Sequence, residues 1–153
     1  AAGRVLKGHW AEVGLERRDV DSATRIEASH DGYVRGFRYS HSRLLILRSD
    51  GMELRGEDTL VPQGKPKDAT PVHVRFHLGP DIEIAPTDNK RTALLRTADG
   101  SNWAFAAAGG ALSIDDSLWG DEAGRPHPTR QLVIAADTGK GGLTIGWQLR
   151  HLG

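Results

Sequence analysis

Two groups of residues in the sequence have side chains suited to acid–base chemistry or to binding an anion. The first group combines histidine, tyrosine and arginine within one short stretch: His30, Tyr33, Arg35, Arg38, Tyr39, His41 and Arg43. The second group is the row His73, Arg75 and His77. Elimination from a uronic acid requires a group that neutralises the carboxylate, a base and an acid, and the first group contains all three types of side chain. The arginine of the second group can bind a carboxylate or sulfate, so both groups are candidate surfaces for an acidic sugar.

Each group also has a purely structural interpretation. His30 and Tyr33 flank Asp31-Gly32, a pair of residues typical of a tight turn, and can be simple hairpin neighbours. The second row can be the solvent-exposed face of a strand. Alternatively it can line a shallow groove, in which Arg75 forms paired hydrogen bonds with a carboxylate or sulfate.

The tryptophans divide into core and surface candidates. Trp103 and Trp147 lie in alternating segments and are expected in the core. Trp119 lies in a predicted loop and is the tryptophan expected to stack on a sugar ring.

The spacing of His73 and His77 argues against a shared metal ion. On a strand, residues four apart are separated by about 13 Å, whereas zinc is bound by ligand nitrogens at about 2 Å. The stretch Thr138-Gly139-Lys140 lacks the remaining residues of a phosphate-binding loop and precedes a strand-like segment. No G-x-S-x-G motif supports serine hydrolysis. The sequence predicts no metal site and no cofactor.

The first group lies in residues 29–60, which the pattern predicts to be three extended runs joined by two Asp-Gly turns. These turns are Asp31-Gly32 and Asp50-Gly51. Residues 33–48 between them alternate with a period of two, which is typical of a strand. We therefore expect one long strand beginning at Tyr33.

The remainder of the chain also favours short strands. Residues 61–71 are rich in proline and are expected to form a loop that carries the chain from one sheet to another or contacts a partner. A second long loop is predicted over residues 117–129, and a last hairpin is predicted from residues 131–136 and 143–152. No window has the apolar spacing of a helix. The fold predicted is an all-β antiparallel sandwich, or stacked sheets, with little or no helix.

Composition narrows the classes of partner. The 153 residues are expected to form a single domain, 1–153. Twenty basic and twenty acidic residues give no net charge, so no general attraction to nucleic acid or to a membrane surface is expected. There is no cysteine, which excludes disulfides.

Several motifs in order resemble the C-terminal β-domain of bacterial heparinase II/III-like proteins. These are SHDGY, H-S-R before a hydrophobic strand, SDG, L-x-GED-x-L, V-R-F-H-L-x-P, W-x-F-x-A-x-GGAL, T-R-Q-L-V-I-x-A and G-W-x-L-R. The resemblance implies a C-terminal piece of a larger polysaccharide lyase that cleaves acidic glycans by β-elimination, in the periplasm or secreted. It implies an N-terminal α-toroid domain of the same protein as a partner.

In that family the catalytic residues come from the toroid and from strands upstream of SHDGY, so no catalytic residue is expected in this chain. The expected role is structural, or to line the substrate cleft. The alternatives are a stand-alone carbohydrate-binding module and a purely structural domain. The candidate contacts with an acidic polysaccharide are His30, Tyr33, Arg38, His41, His73, Arg75, His77 and Trp119.

Overall fold

The computed structural model describes residues 12–65 and 69–153, and this part of the chain is built almost entirely from antiparallel strands. A single helical turn, α1, interrupts them. In chain order the elements are β1 (Val13–Val20), β2 (Ala23–His30), α1 (Val34–Phe37), β3 (Tyr39–Arg48), β4 (Glu53–Pro62), β5 (Pro71–His77), β6 (Glu83–Pro86), β7 (Thr92–Arg96), β8 (Asn102–Ala108), β9 (Ala111–Gly120), β10 (Pro126–Asp137) and β11 (Leu143–His151).

The strands form two sheets of unequal width. The larger sheet has eight strands in the order β1-β2-β3-β4-β11-β8-β7-β6, and the smaller has three in the order β5-β10-β9. Every pair of neighbouring strands is antiparallel. This architecture confirms the prediction of an all-β sandwich with little helix.

The core lies where the smaller sheet covers the larger one. The Phe76 ring on β5 packs edge-on against Phe105, at 4.9 Å between centroids, and against Trp147, at 4.8 Å. Leu132 and Ile134 of β10 are completely buried against the same cluster. Burying one such side chain stabilises the fold by about 1.5–3 kcal/mol, so this contact holds the two layers together. The predicted core positions of Trp103 and Trp147 are confirmed, with Trp103 partly buried.

The larger sheet extends beyond the smaller one on the side of β1 and β2. Neither strand contributes a residue to the core cluster. Val13 and Leu15 lie on the core-facing side yet are 61% and 75% exposed. A three-stranded layer cannot cover eight strands, so part of the core-facing side remains open. We call this open area the shelf and define it by the residues Val13, Leu15, Arg17, Ile26, Ala28, His30, His41 and Arg43.

β2 and β3 pair on either side of Asp31-Gly32 as expected, but the two-residue turn predicted there and the strand predicted from Tyr33 are wrong. The amide of Phe37 donates to the Tyr33 carbonyl at 2.9 Å, which makes one helical turn. Arg38 then ends the turn in the left-handed conformation, with φ of 62°, and the strand begins at Tyr39. Tyr33 and Phe37 are four residues apart, a spacing that fits one face of a strand and one face of a helix equally well.

The second predicted hairpin is confirmed. Leu47 pairs with Leu54 across Asp50-Gly51, and Gly51 has the positive φ of 73° that this turn requires. The connection after β4 leads to the other sheet, as expected for residues 61–71, although residues 66–68 lie outside the described part.

Two expectations for the C-terminal half are wrong. Most of the predicted loop over residues 117–129 is strand, because β9 and β10 pair as a long hairpin from Ala111↔Ala135 to Gly120↔Pro126. The predicted last hairpin does not form, since β10 belongs to the smaller sheet and β11 to the larger. The segment between β10 and β11 instead crosses between the layers, as do the segments after β4, β5 and β8.

A buried hydroxyl pair connects the crossings after β4 and β10 to β3. The Tyr39 hydroxyl donates to Thr138 Oγ1 at 3.1 Å, and the same oxygen accepts the Thr70 amide at 2.9 Å. Tyr39 and Thr138 are each 2% exposed. Because both crossings connect one sheet to the other, these bonds hold the layers in register at this end.

Candidate functional site

Two side chains of the first group, His30 and His41, form a continuous row of hydrogen bonds with Asp58 on the shelf. The Gly32 amide lies 3.1 Å from His30 Nδ1, and His30 Nε2 lies 3.1 Å from His41 Nδ1. His41 Nε2 lies 2.8 Å from Asp58 Oδ1. His30 and His41 are direct partners across β2 and β3, which places both rings on the same face.

The direction of every bond in this row follows from its first donor. The Gly32 amide can only donate, so His30 Nδ1 accepts and a neutral His30 carries its proton on Nε2. That proton is donated to His41 Nδ1, so His41 carries its own proton on Nε2 and donates it to Asp58. Each ring therefore has one proton, and both nitrogens of each ring are engaged.

Asp58 anchors the row below the surface. It is 4% exposed and also accepts from Arg43 Nε at 2.7 Å and from Trp147 Nε1 at 3.0 Å. Burial raises the pKa of the Asp58 carboxyl, but the hydrogen bonds from His41, Arg43 and Trp147 together outweigh burial and lower the pKa below its ordinary value. The carboxylate therefore stays ionised, and its partners come from the two strands that flank β4, which are β3 and β11.

Glycine at position 56 allows Trp147 to reach this carboxylate. A Cβ at Gly56 would lie 2.1 Å from Trp147 Cζ2, inside the indole ring. The two residues are partners across β4 and β11. The indole lies over the glycine and thereby directs its N–H toward Asp58.

His30 is held neutral by its surroundings. Burial lowers the pKa of the His30 imidazole, and the neighbouring His41 lowers it further, while Asp31 acts in the opposite direction. The positive charge beside the row comes instead from Arg43, whose side chain is 38% exposed. At neutral pH this part of the shelf is polar, with one partly exposed guanidinium.

An aromatic ring closes one end of the row. The Tyr33 ring lies 5.0 Å from His30 and 6.3 Å from His41, between centroids. Phe37 continues the aromatic surface, 6.4 Å from Tyr33. Arg38 is not joined to this cluster by any contact in the described part of the chain, and its guanidinium instead lies beside Gly64.

The second group lies elsewhere, on the outer side of the smaller sheet. His73, Arg75 and His77 are exposed on β5 while the intervening residues face the core, as predicted. Trp119 is on the same side and is 41% exposed, but it belongs to β9 rather than to a loop. The structure therefore divides the predicted contacts between two separate surfaces.

The sequence interpretation missed Asp58 and Trp147. Arg43 and Asp58 are equally distant from the Asp50-Gly51 turn, so the register of that hairpin was sufficient to predict their pairing. Trp147 gives no local signal, because its bond to Asp58 spans 89 residues.

A metal-binding cluster and a membrane-spanning helix are both absent from residues 12–65 and 69–153. No three side chains of the metal-ligating types are grouped to hold an ion. No helix in the same ranges has the length and apolar character needed to cross a bilayer.

Fold and surface together define a two-layered antiparallel β-domain with an open, polar extension of its larger sheet. Residues 2–148 match the family model described as heparinase II/III-like, C-terminal. The chain belongs to this family and is a polysaccharide-lyase-related domain.

Solved lyases share the fold at low sequence identity. Heparan sulfate lyase HepC from Pedobacter heparinus matches with a TM-score of 0.76 and 10% identity, over 92% of this chain and 22% of that one. A heparinase III gene product matches with a TM-score of 0.71 and 13% identity, over 92% and 22%. This chain thus spans about a fifth of the length of these proteins.

A curated relative is closer in sequence. The FtsZ-localized protein C of Caulobacter vibrioides (strain NA1000 / CB15N) is 32% identical over 123 residues, which cover 67% of this chain and 21% of that protein.

Proposed function

We propose that this domain forms one wall of the acidic-glycan cleft of a heparinase II/III-like polysaccharide lyase, whose β-elimination chemistry is completed by groups outside this chain. The observation that supports this most directly is the row Gly32–His30–His41–Asp58 on a sheet face that the second layer does not cover. A bound glycan would meet the Tyr33 ring and the partly exposed Arg43 guanidinium on one surface, beside the fixed edges of the two histidine rings.

The protons of the row favour a wall over an acid–base pair. A general base needs a free lone pair, but the described acceptor nitrogens of His30 and His41 already accept hydrogen bonds. A general acid would leave a ring without its remaining proton and would disrupt the bond to Asp58. The row is suited to holding a fixed polar surface against a substrate.

Two adjacent arginines of β1 provide a matched test of the proposal, because they face opposite sides of the sheet. Arg17 and Arg18 are adjacent, both exposed, and each pairs with an acid two residues away, Asp19 and Glu16. Arg17 faces the shelf and Arg18 faces the opposite side. A charged hydrogen bond to a ligand contributes about 1.5–3 kcal/mol, and 1.4 kcal/mol is tenfold in Kd.

Titration of the isotope-labelled chain with a heparan sulfate oligosaccharide should shift the amide signals of Ala28 and His41. Arg17→Gln should weaken binding about tenfold, and Arg18→Gln should leave it unchanged. Equal effects of the two variants, or no shift on the shelf, would refute the cleft-wall proposal. The chain alone should release no unsaturated uronate, whereas a longer polypeptide that carries the toroid should.

The relative from Caulobacter supports a second candidate, localisation with FtsZ in place of a role in glycan cleavage. Its identity of 32% far exceeds the 10–13% of the solved lyases. The protein is named for localisation with FtsZ. Co-sedimentation of this chain with FtsZ polymers, together with a flat response to acidic glycans, would favour this candidate over the first.

A further inference from the structure

The outer side of the smaller sheet carries a second, separate array of polar and aromatic side chains. We call this array the strip. Strand register places the members on one face of β5, β10 and β9: His73, Arg75, His77, Ser113, Asp115, Ser117, Trp119, His127, Thr129, Gln131 and Val133. The carboxylate among them, Asp115, accepts a hydrogen bond from the Ser113 hydroxyl at 3.0 Å and forms no ion pair with Arg75. The smaller sheet separates this face from the core-facing side on which the shelf lies.

The charge of Arg75 is not neutralised by its neighbours. The arginines of β1 to β4 that face outward or lie at strand ends are typically paired with an acid two positions away, as Arg25 is with Glu27 and Arg55 is with Glu53. At the same spacing from Arg75 the sequence places His73 and His77. Across the sheet its partner is Val133, which pairs in turn with Ser113.

Arg75 consequently forms no ion pair in the described part of the chain. Its guanidinium is exposed and offers a planar set of donors that matches a carboxylate or a sulfate.

Two buried oxygens in the middle of the strip also lack partners. Neither Thr129 Oγ1 nor Gln131 Oε1 has a hydrogen-bond partner within residues 12–65 and 69–153. They lie between His77 and Ser117, whose Nδ1 and Oγ are 2.7 Å apart. A buried polar atom without a partner is unfavourable, because it has lost its hydrogen bonds to water. Rotation of His77 toward a ligand would release the Ser117 hydroxyl and open a path to both oxygens.

An aromatic surface lies at the other end of the strip. The Trp119 ring is 41% exposed and lies 6.0 Å from the His127 ring, between centroids. Trp119 pairs with His127 of β10, and Arg75 pairs with Val133 of the same strand. These two positions on β10 are six residues apart, which corresponds to about 20 Å along a strand. An extended ligand is needed to span that distance, with an apolar face at one end and an anion at the other.

We propose that the strip is a second glycan-binding site, which holds an acidic oligosaccharide with one sugar ring against Trp119 and a carboxylate or sulfate on Arg75. The identity of the sugar class rests on the proposed function; the existence of the site does not. Such a site would bind the glycan away from the cleft and keep the protein attached to its polymer.

The test compares Arg75→Gln with Arg96→Gln in the 153-residue chain. Arg96 is also exposed, has no ion pair within the described residues, and lies on a strand of the other sheet. The probe is a heparan sulfate oligosaccharide, measured by calorimetry and by shifts of backbone amide signals at low and moderate salt. Arg75→Gln should weaken the binding that is reported by the signals of His77 and Trp119 about tenfold, and Arg96→Gln should not.

The shelf and the strip have different amide signals, so the two proposals can be tested independently of each other. Shifts at Ala28 and His41 with none at His77 and Trp119 would overturn the strip and leave the cleft wall intact. Shifts confined to His77 and Trp119 would support the strip and overturn the cleft wall. Equal loss of affinity in both arginine variants, or no shift on either surface, would overturn the strip.

Discussion

Replacing Asp58 by asparagine tests how the row on the shelf is anchored. The carboxylate accepts from His41 and Arg43 at Oδ1 and from Trp147 at Oδ2. An asparagine that keeps its oxygen toward the first two partners turns its NH₂ group toward the indole N–H, so two donors meet at 3.0 Å. In the flipped orientation the amide oxygen accepts from Trp147, but the NH₂ group then faces the two donors His41 and Arg43. Neither orientation satisfies all three partners.

The cost follows from these bonds. One buried donor left without an acceptor costs about 1–3 kcal/mol, and weakening of the charged bond to Arg43 adds about 1–2 kcal/mol. We expect Asp58→Asn to lower the free energy of unfolding by about 3 kcal/mol, measured by urea denaturation. At about 2–4 °C for each kcal/mol, Tm should fall by about 6–12 °C.

Asp50→Asn is the matched control. Asp50 also accepts from an arginine, Arg48, but it lies on an exposed turn. Solvent screens that pair, so its loss should be much smaller. The reasoning would be refuted by equal losses in the two variants, or by an unchanged Trp147 indole N–H signal in Asp58→Asn.

The remaining predictions concern pH, packing and the contact between layers. The pKa of His30 is lowered in the folded state, so the unfolded chain binds more protons as pH falls below the ordinary histidine pKa of about 6.5. The free energy of unfolding should therefore decrease as pH falls through this range. His30→Gln should make this decrease smaller, as measured by urea denaturation at several pH values. Gly56→Ala should destabilise by at least about 1–3 kcal/mol, because its methyl group would overlap the Trp147 ring, whereas Gly120→Ala has open space and should be near neutral. Tyr39→Phe removes one buried hydroxyl bond and should lower the free energy of unfolding by about 1 kcal/mol; an unchanged unfolding midpoint would show that this bond does not hold the layers.

The errors of the sequence interpretation occur where backbone hydrogen bonds, rather than the local residue pattern, decide the secondary structure. Tyr33 and Phe37 fit strand and helix spacing alike, and the choice was made by backbone bonds that close a helical turn and by the left-handed Arg38 that ends it. The segment around Trp119 contains glycine and proline and was interpreted as a loop. It is strand because β9 and β10 pair with each other along their whole length.

The sequence by itself determined which residues share a face. Alternation in β2 and β5 predicted that His30 faces one way with Ile26 and that Arg75 faces away from Val74, since side chains on a strand alternate at every residue. The Asp50-Gly51 turn fixed the register that brings His41 and Arg43 near Asp58.

Only the tertiary structure decided which strands belong together and which face remains open. The pairing of β11 with β4 brings Trp147 onto Asp58, and the position of β10 in the smaller sheet separates Arg75 from His41. These pairings depend on contacts between residues far apart in the chain, which periodicity does not encode. The shelf exists because three strands cannot cover eight, a property of the assembled layers that no single segment carries.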